Sequence, residues 1–259
     1  MKPVRKWGPG PYRVAVIHGG PGAPGEVAPV ARELSTLKGV LEPFQTEMTL
    51  DGQVEELRSV LLEHGTAPVV LIGFSWGAYL SWLLTARYPA LVSKLVLIGC
   101  PPFEEQYAAS ITQTRLGRLP KRTLGEAQGL LAKLNEAEGG DKDVMLARLG
   151  TILARADAYD PISSEDEAFH CQYDIFRGVW DEASELRGNK VLLQMAKRIT
   201  CPVVAIHGDF DPHPADGVND PLTRELADFR FVLLEKCGHR PWIERNASEN
   251  FFKVLVEEI

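Results

Sequence analysis

A serine flanked by glycines two places away on each side, in Gly73-Phe74-Ser75-Trp76-Gly77, ends one apolar run and opens another. The run before it, APVVLIGF (67–74), is rich in β-branched residues. The run after it, WGAYLSWLLTARYP (76–89), has helical composition and stops at Pro89. A strand that turns at once into a helix forces its central residue into a strained backbone conformation. Gly73 and Gly77 remove side chains that would collide there. Such a turn lifts the Ser75 hydroxyl above the sheet edge, at the positive end of the following helix. The chemistry this suits is acyl transfer through a covalent serine intermediate.

A serine hydroxyl needs a base, and the base needs a carboxylate to hold its tautomer. Of the six histidines, His64 ends a surface helix, His170 lies in a helical insertion, His207 sits inside a strand pattern and His18 opens a glycine-rich loop. His213 is only two residues from the favoured acid, a spacing expected to be too short for that acid to orient it. His239 remains. It follows the last strand, in LLEKCGHRPWIE, and precedes the C-terminal helical pattern, which places it on the same sheet edge as Ser75. For the acid, VVAIHGDFDPHP offers Asp209 and Asp211. Asp211, three residues beyond Gly208, can turn back over the edge, while Asp209 is expected to brace the turn. His207, Asp209, Asp211 and His213 alternate, and an extended strand would align them as a row of metal ligands. Pro212 and Pro214 break any such strand, so no metal and no cofactor are expected.

HGGPGAPG (18–25) packs four glycines and two prolines into eight positions, so its backbone path matters more than its side chains. It has neither the lysine offset nor the glycine spacing of a phosphate-binding loop. A backbone N–H aimed at a developing oxyanion is the remaining use. Pro21 has none, leaving Gly19, Gly20 or Gly22 as the donor.

These residues need a scaffold. RVAVI (13–17), APVVLIGF (67–74), KLVLIG (94–99), PVVAIHG (202–208) and RFVLLE (230–235) read as strands, with a weaker one near Val40–Gln45. Helical patterns alternate with them, including DGQVEELRSVLLEHG (51–65), where Asp51 is a candidate N-cap. The fold class is therefore α/β, with a doubly wound, mostly parallel sheet. The alternation breaks between about 101 and 198, where the pattern is helical. Residues 1–100 and 199–259 are read as one core domain, and 101–198 as a helical cap inserted after the strand ending near Gly99.

The chain has 259 residues, a net charge of −7, 45% hydrophobic and 24% charged residues, which is globular composition and disfavours a nucleic-acid or anionic-membrane partner. No apolar run approaches the roughly 18 residues of a membrane span. The N-terminus lacks the apolar core of a secretion signal. Cys100, Cys171, Cys201 and Cys237 are scattered, as expected of reduced thiols in a cytoplasmic protein. The composition says nothing about oligomeric state.

Four motifs in this order, HGGPG (18–22), GFSWG (73–77), HGDFD (207–211) and GHRPWIE (238–244), resemble the α/β-hydrolase superfamily over the whole chain apart from the cap. The pairing of HGGPG with a Ser-Trp elbow is similar in particular to the prolyl iminopeptidase branch of serine aminopeptidases. The resemblance implies a Ser75, Asp211, His239 triad, in the chain order of that superfamily. It also implies an oxyanion hole from the Gly20 and Trp76 backbone N–H groups. It further implies that the two strands that usually precede the first central strand are missing or vestigial. Substrates would be small esters or amides, with N-terminal residues of peptides as the alternative. In the aminopeptidase reading, acidic cap residues hold the substrate amine. Glu165, Asp166 and Glu167 are the candidates, within a stretch (157–185) holding nine acids and one base. C–C bond hydrolases and cofactor-free haloperoxidases share the triad. Epoxide hydrolases use a carboxylate where this chain has Ser75, and a non-catalytic binding protein on the same fold is the remaining class.

Overall fold

The β-branched runs lie side by side in one seven-stranded sheet. The structure, a computed structural model, describes residues 4–21, 24–136, 140–162 and 171–259. In chain order the first half is β1 (Val4–Trp7), β2 (Tyr12–Ile17), α1 (Ala28–Leu34), β3 (Gly39–Pro43), α2 (Leu50–His64), β4 (Val69–Phe74), α3 (Trp76–Arg87) and β5 (Val92–Ile98). A helical segment follows, made of α4 (Glu105–Ala108), α5 (Ile111–Gly117), α6 (Lys121–Leu134), α7 (Lys142–Asp157), α8 (Tyr173–Gly188) and α9 (Val191–Gln194). The chain then returns to the sheet with β6 (Val203–Gly208), α10 (Asp216–Glu225), β7 (Phe229–Leu234) and α11 (Ser248–Glu257).

The strand order is β1-β3-β2-β4-β5-β6-β7. Every pairing is parallel except β1 with β3. Among the described residues, the four-residue β1 on that edge is the strand that precedes β2. Strand residues alternate between two apolar layers, as a period of two demands. Leu71, Leu97 and Ala205 face a core with Trp76, Tyr79, Trp82 and Leu57, while Ile72, Ile98 and Ile206 face one with Val30, Phe251 and Leu255. Because both faces are covered, the central strands read as unbroken apolar runs. A third, smaller core of Ala127, Leu134, Leu149, Ile152 and Tyr173 belongs to the helical segment alone.

The register fixes where the strands end. Ile17 pairs with Gly73, Phe74 with Ile98, and Ile98 with Ile206. The loops after β2, β4, β5 and β6 therefore leave one edge side by side, and these carry His18 to Gly20, Ser75, Gly99 and Asp211. The start of α2 differs from the expectation. Thr49 is the N-cap, its side chain accepting from the Gly52 N–H, and Asp51 lies inside the first turn.

Candidate active site

Ser75 sits at φ 52°, ψ −119° between β4 and α3, in the left-handed region that a side-chain-bearing residue rarely occupies. Its two glycines are explained by contact. A Cβ at Gly73 would overlap the Gly77 carbonyl, and one at Gly77 would overlap the Ile17 and His18 carbonyl oxygens. The elbow therefore packs directly onto the end of β2. α3 behind it is buried from Trp76 to Ala86, so the turn rests on a fixed support.

His239 Nε2 lies 3.1 Å from Ser75 Oγ, and its Nδ1 lies 2.7 Å from Asp211 Oδ2. Three residues far apart in sequence thus form one hydrogen-bonded relay. Gly99, at φ +52°, makes room for it, since a Cβ there would come within 3.0 Å of His239 Nδ1. Phe74 packs against the imidazole with ring centroids 4.8 Å apart. The backbone of His239 is tied to the helical segment by its N–H, which donates to the Asp157 carbonyl at 2.8 Å.

The second oxygen of Asp211 is also occupied. Oδ1 accepts from the His213 backbone N–H at 2.9 Å and is paired with His213 Nδ1 at 2.7 Å. The expectation that His213 stands too close to be oriented by Asp211 is overturned. An aspartate that accepts the N–H two residues on forms a tight turn, and that turn brings the ring of the same residue round to the same oxygen. His207 Nε2 contacts the His213 carbonyl at 2.8 Å and completes the cluster. Burial alone would raise the Asp211 carboxyl, yet His239, His213 and His207 around it hold it well below the ordinary range. Burial lowers His213 to about 4, so it is neutral at neutral pH. Asp209 Oδ1 accepts from the Cys237 N–H at 3.0 Å, which makes it the brace of the turn. One possible ligand atom each from Asp211, His213 and His239 lie within 4.8 Å of one another. Both Asp211 oxygens and both Nδ1 atoms are already committed to each other, however, so this donor set is a poor cation site.

The glycine loop runs against Ser75, since a Cβ at Gly19 would lie 3.0 Å from Ser75 Cβ. Buried His18 pairs through Nδ1 with the Gly19 carbonyl at 2.7 Å, and its Nε2 accepts from the Gln45 N–H at 3.3 Å. Burial lowers His18 to about 4, which keeps that neutral tautomer. In a trans peptide the carbonyl and the next N–H point opposite ways, so pinning Gly19 oxygen turns the Gly20 N–H away from His18. Gly20 and Trp76 both line the cavity over Ser75, and the Trp76 N–H, in the first turn of α3, has no intrahelical acceptor.

That cavity, about 270 Å³, has a polar floor of Ser75, His239 and Arg240 and an apolar wall of Leu146, Leu153, Phe176 and Trp180 from α7 and α8. Three residues around it carried no role in the sequence reading. Arg115 is locked bidentately to Asp157, with contacts at 2.8 Å. Glu26 lines the cavity beside Gly19. Glu244, fully buried, accepts the backbone N–H groups of Gly238, Tyr159 and Asp160 at 2.8–3.0 Å and so fastens the His239 loop. The carboxylate of GHRPWIE was the available signal for Glu244. The candidates Glu165, Asp166 and Glu167 lie outside the described residues.

A family model described as alpha/beta hydrolase fold matches residues 21–245. Among solved structures, the chain is similar to VinJ (TM-score 0.68, 19% identity, covering 98% of this chain and 93% of that one). It is also similar to a monoacylglycerol lipase from Paleococcus ferrophilus (TM-score 0.63, 19% identity, 99% and 97% covered) and a meta-cleavage product hydrolase from Pseudomonas fluorescens (TM-score 0.65, 19% identity, 98% and 92% covered). At these identities the likeness is one of fold. Among curated proteins, epoxide hydrolase 4 of Mus musculus is 33% identical over 57 residues, which is 22% of this chain and 16% of that protein. The human protein of that name is 36% identical over 52 residues, 20% of this chain and 14% of that protein. The matched segments thus span about a sixth of these relatives' length. Among the described residues, no helix is long and apolar enough to cross a membrane.

Proposed function

The chain belongs to the alpha/beta hydrolase family, and within it we propose a serine hydrolase of small esters and amides that works through a Ser75 acyl-enzyme. The observation that carries this reading is the relay from Asp211 through His239 to Ser75, at 2.7 and 3.1 Å. Both distances fall in the range a general base needs to take a nucleophile's proton.

The cycle follows from the groups present. His239 Nε2 takes the Ser75 proton as Oγ attacks the substrate carbonyl. Asp211 holds the imidazole with Nε2 toward the serine and stabilises its cation. The Gly20 and Trp76 N–H groups hold the developing oxyanion, each contributing roughly 3 kcal/mol. His239 then protonates the leaving group, and water enters by the same route to release the acid. No step calls for a cofactor. The helical segment 101–198 acts as a cap whose α7 and α8 wall selects the acyl group. A small-molecule substrate and a cytoplasmic setting complete the reading, the latter supported by four free cysteines.

A prolyl iminopeptidase-like activity is the alternative favoured by HGGPG beside a Ser-Trp elbow, with Glu165, Asp166 and Glu167 as its amine-binding acids. Epoxide opening, the activity in the curated relatives' names, is disfavoured because Ser75 stands where a carboxylate nucleophile is required. A fluorophosphonate probe tests the proposal, followed by peptide mapping. A covalent adduct on Ser75 is expected, and an unlabelled protein would point to a non-catalytic member of the fold. Acyl esters assayed beside aminoacyl-naphthylamides, proline included, separate esterase from aminopeptidase.

A further inference from the structure

Glu26 is left over by the mechanism. It is half-buried in the turn before α1 and lines the cavity with Ser75 and His239. Its Oε1 is shielded from solvent and makes no hydrogen bond of good geometry, although the Gly19 backbone N–H lies close enough to the carboxyl to favour its charged form. A Cβ built on Gly19 would lie 2.5 Å from that oxygen and 3.0 Å from Ser75 Cβ, so the carboxyl stands alongside the nucleophile. Arg240 lines the same cavity, yet the two side chains form no ion pair, and Arg240 acts on Glu26 only at longer range. The other cavity acid among the described residues, Asp157, is held bidentately by Arg115. Of the acids that line the described cavity, Glu26 is thus the one without an arginine partner. A buried acceptor without a full set of partners is unfavourable, and a ligand donor would relieve it.

Resting on the serine hydrolase reading, we propose that Glu26 is a specificity-determining residue that accepts a hydrogen bond from a hydroxyl or ammonium group on the acyl part of the substrate, next to the scissile carbonyl. Position gives the distance: a carbonyl carbon bonded to Ser75 Oγ brings its α-substituent beside Gly19, where Oε1 lies. The wall of Leu146, Leu153, Phe176 and Trp180 takes the apolar remainder, within a cavity of about 270 Å³.

Three 2-naphthyl esters with one leaving group test this: the propanoate, the 2-hydroxypropanoate and the 2-aminopropanoate. Each enzymatic rate is divided by the ester's own hydroxide-catalysed rate. The wild type is expected to favour at least one donor-bearing ester over the propanoate by about tenfold or more in kcat/KM. In Glu26→Ala that ratio falls to about one. Glu26→Gln, close in shape, keeps a carbonyl acceptor. It retains a preference for the hydroxyl ester but loses one for the ammonium ester, which tells the two donors apart. A wild-type ratio near one, or a ratio the same in wild type and Glu26→Ala, overturns the proposal. An equal loss on all three esters overturns it too, since a mere loop brace would behave so. Fluorophosphonate labelling of Ser75 in each variant separates the failures. Labelled protein with an unmoved ratio, or with no ester turned over, sinks the Glu26 role alone, whereas unlabelled wild type sinks the hydrolase reading and this proposal with it.

Discussion

Asp211 uses its two oxygens for two histidines, Oδ2 for His239 and Oδ1 for His213. Only His239 reaches Ser75, so the second pair acts by fixing the rotamer of the acid. Replacing Asp211 with Asn leaves the shape but allows the wrong imidazole tautomer, and kcat is expected to fall by about 10⁴ with the thermal midpoint little changed. His213→Ala removes a donor to a buried carboxylate, costing about 2 kcal/mol of stability in a denaturant titration while lowering kcat less than Asp211→Asn does. A stability loss without any fall in kcat would assign His213 a purely structural role. That Ser75, Asp211 and His239 meet was legible because each follows a strand on one sheet edge. His213 was not, because its placement comes from a turn closed by the Asp211 side chain rather than from spacing along the chain. Glu26 was illegible for a related reason: nothing in HGGPGAPGE says which way the loop folds back.

The elbow and the loop that carries His239 are the elements on which the geometry depends. Gly73→Ala and Gly77→Ala each drive a methyl into backbone carbonyls, which cannot swing aside as a side chain can. Each is expected to cost about 1–3 kcal/mol, read as a thermal midpoint lower by roughly 2–10 °C. Glu244→Ala orphans the N–H groups of Gly238, Tyr159 and Asp160, a loss of about 3 kcal/mol with a parallel fall in activity as the His239 loop loosens. Unchanged midpoints would show that these contacts relax at no cost. β2, β4, β5 and β6 were readable from apolar runs because both sheet faces are covered, and β7, though it lies at an edge, was readable from its β-branched and aromatic run. β1 was not, since its sequence VRKW is polar and pairs only at an edge. α1 and α10 also escaped notice, one short with a proline near its start, the other carrying Pro221 inside it.

Across the whole molecule, buried histidines set the response to pH. His18 and His213 are lowered to about 4 in the folded state from an ordinary 6.5. The unfolded chain therefore takes up protons first as pH falls through 6.5, and stability declines between about 6.5 and 4. Each histidine contributes about 3 kcal/mol to that loss, and Glu26, whose carboxyl burial raises, opposes part of it. The urea midpoint is expected to drop steadily from pH 7 to pH 4.5, and a flat profile would contradict neutral burial of both rings. At the same scale, Trp180→Ala in the α8 wall of the cavity should relax acyl-chain selectivity while leaving Ser75 open to fluorophosphonate. Every proposed step runs through the Ser75 hydroxyl. Turnover of p-nitrophenyl acetate by the wild type and by Ser75→Ala, with matching circular dichroism spectra, tests it most directly. Hydrolysis by the wild type and none above background by the folded variant is the predicted result, and equal turnover by both would contradict it.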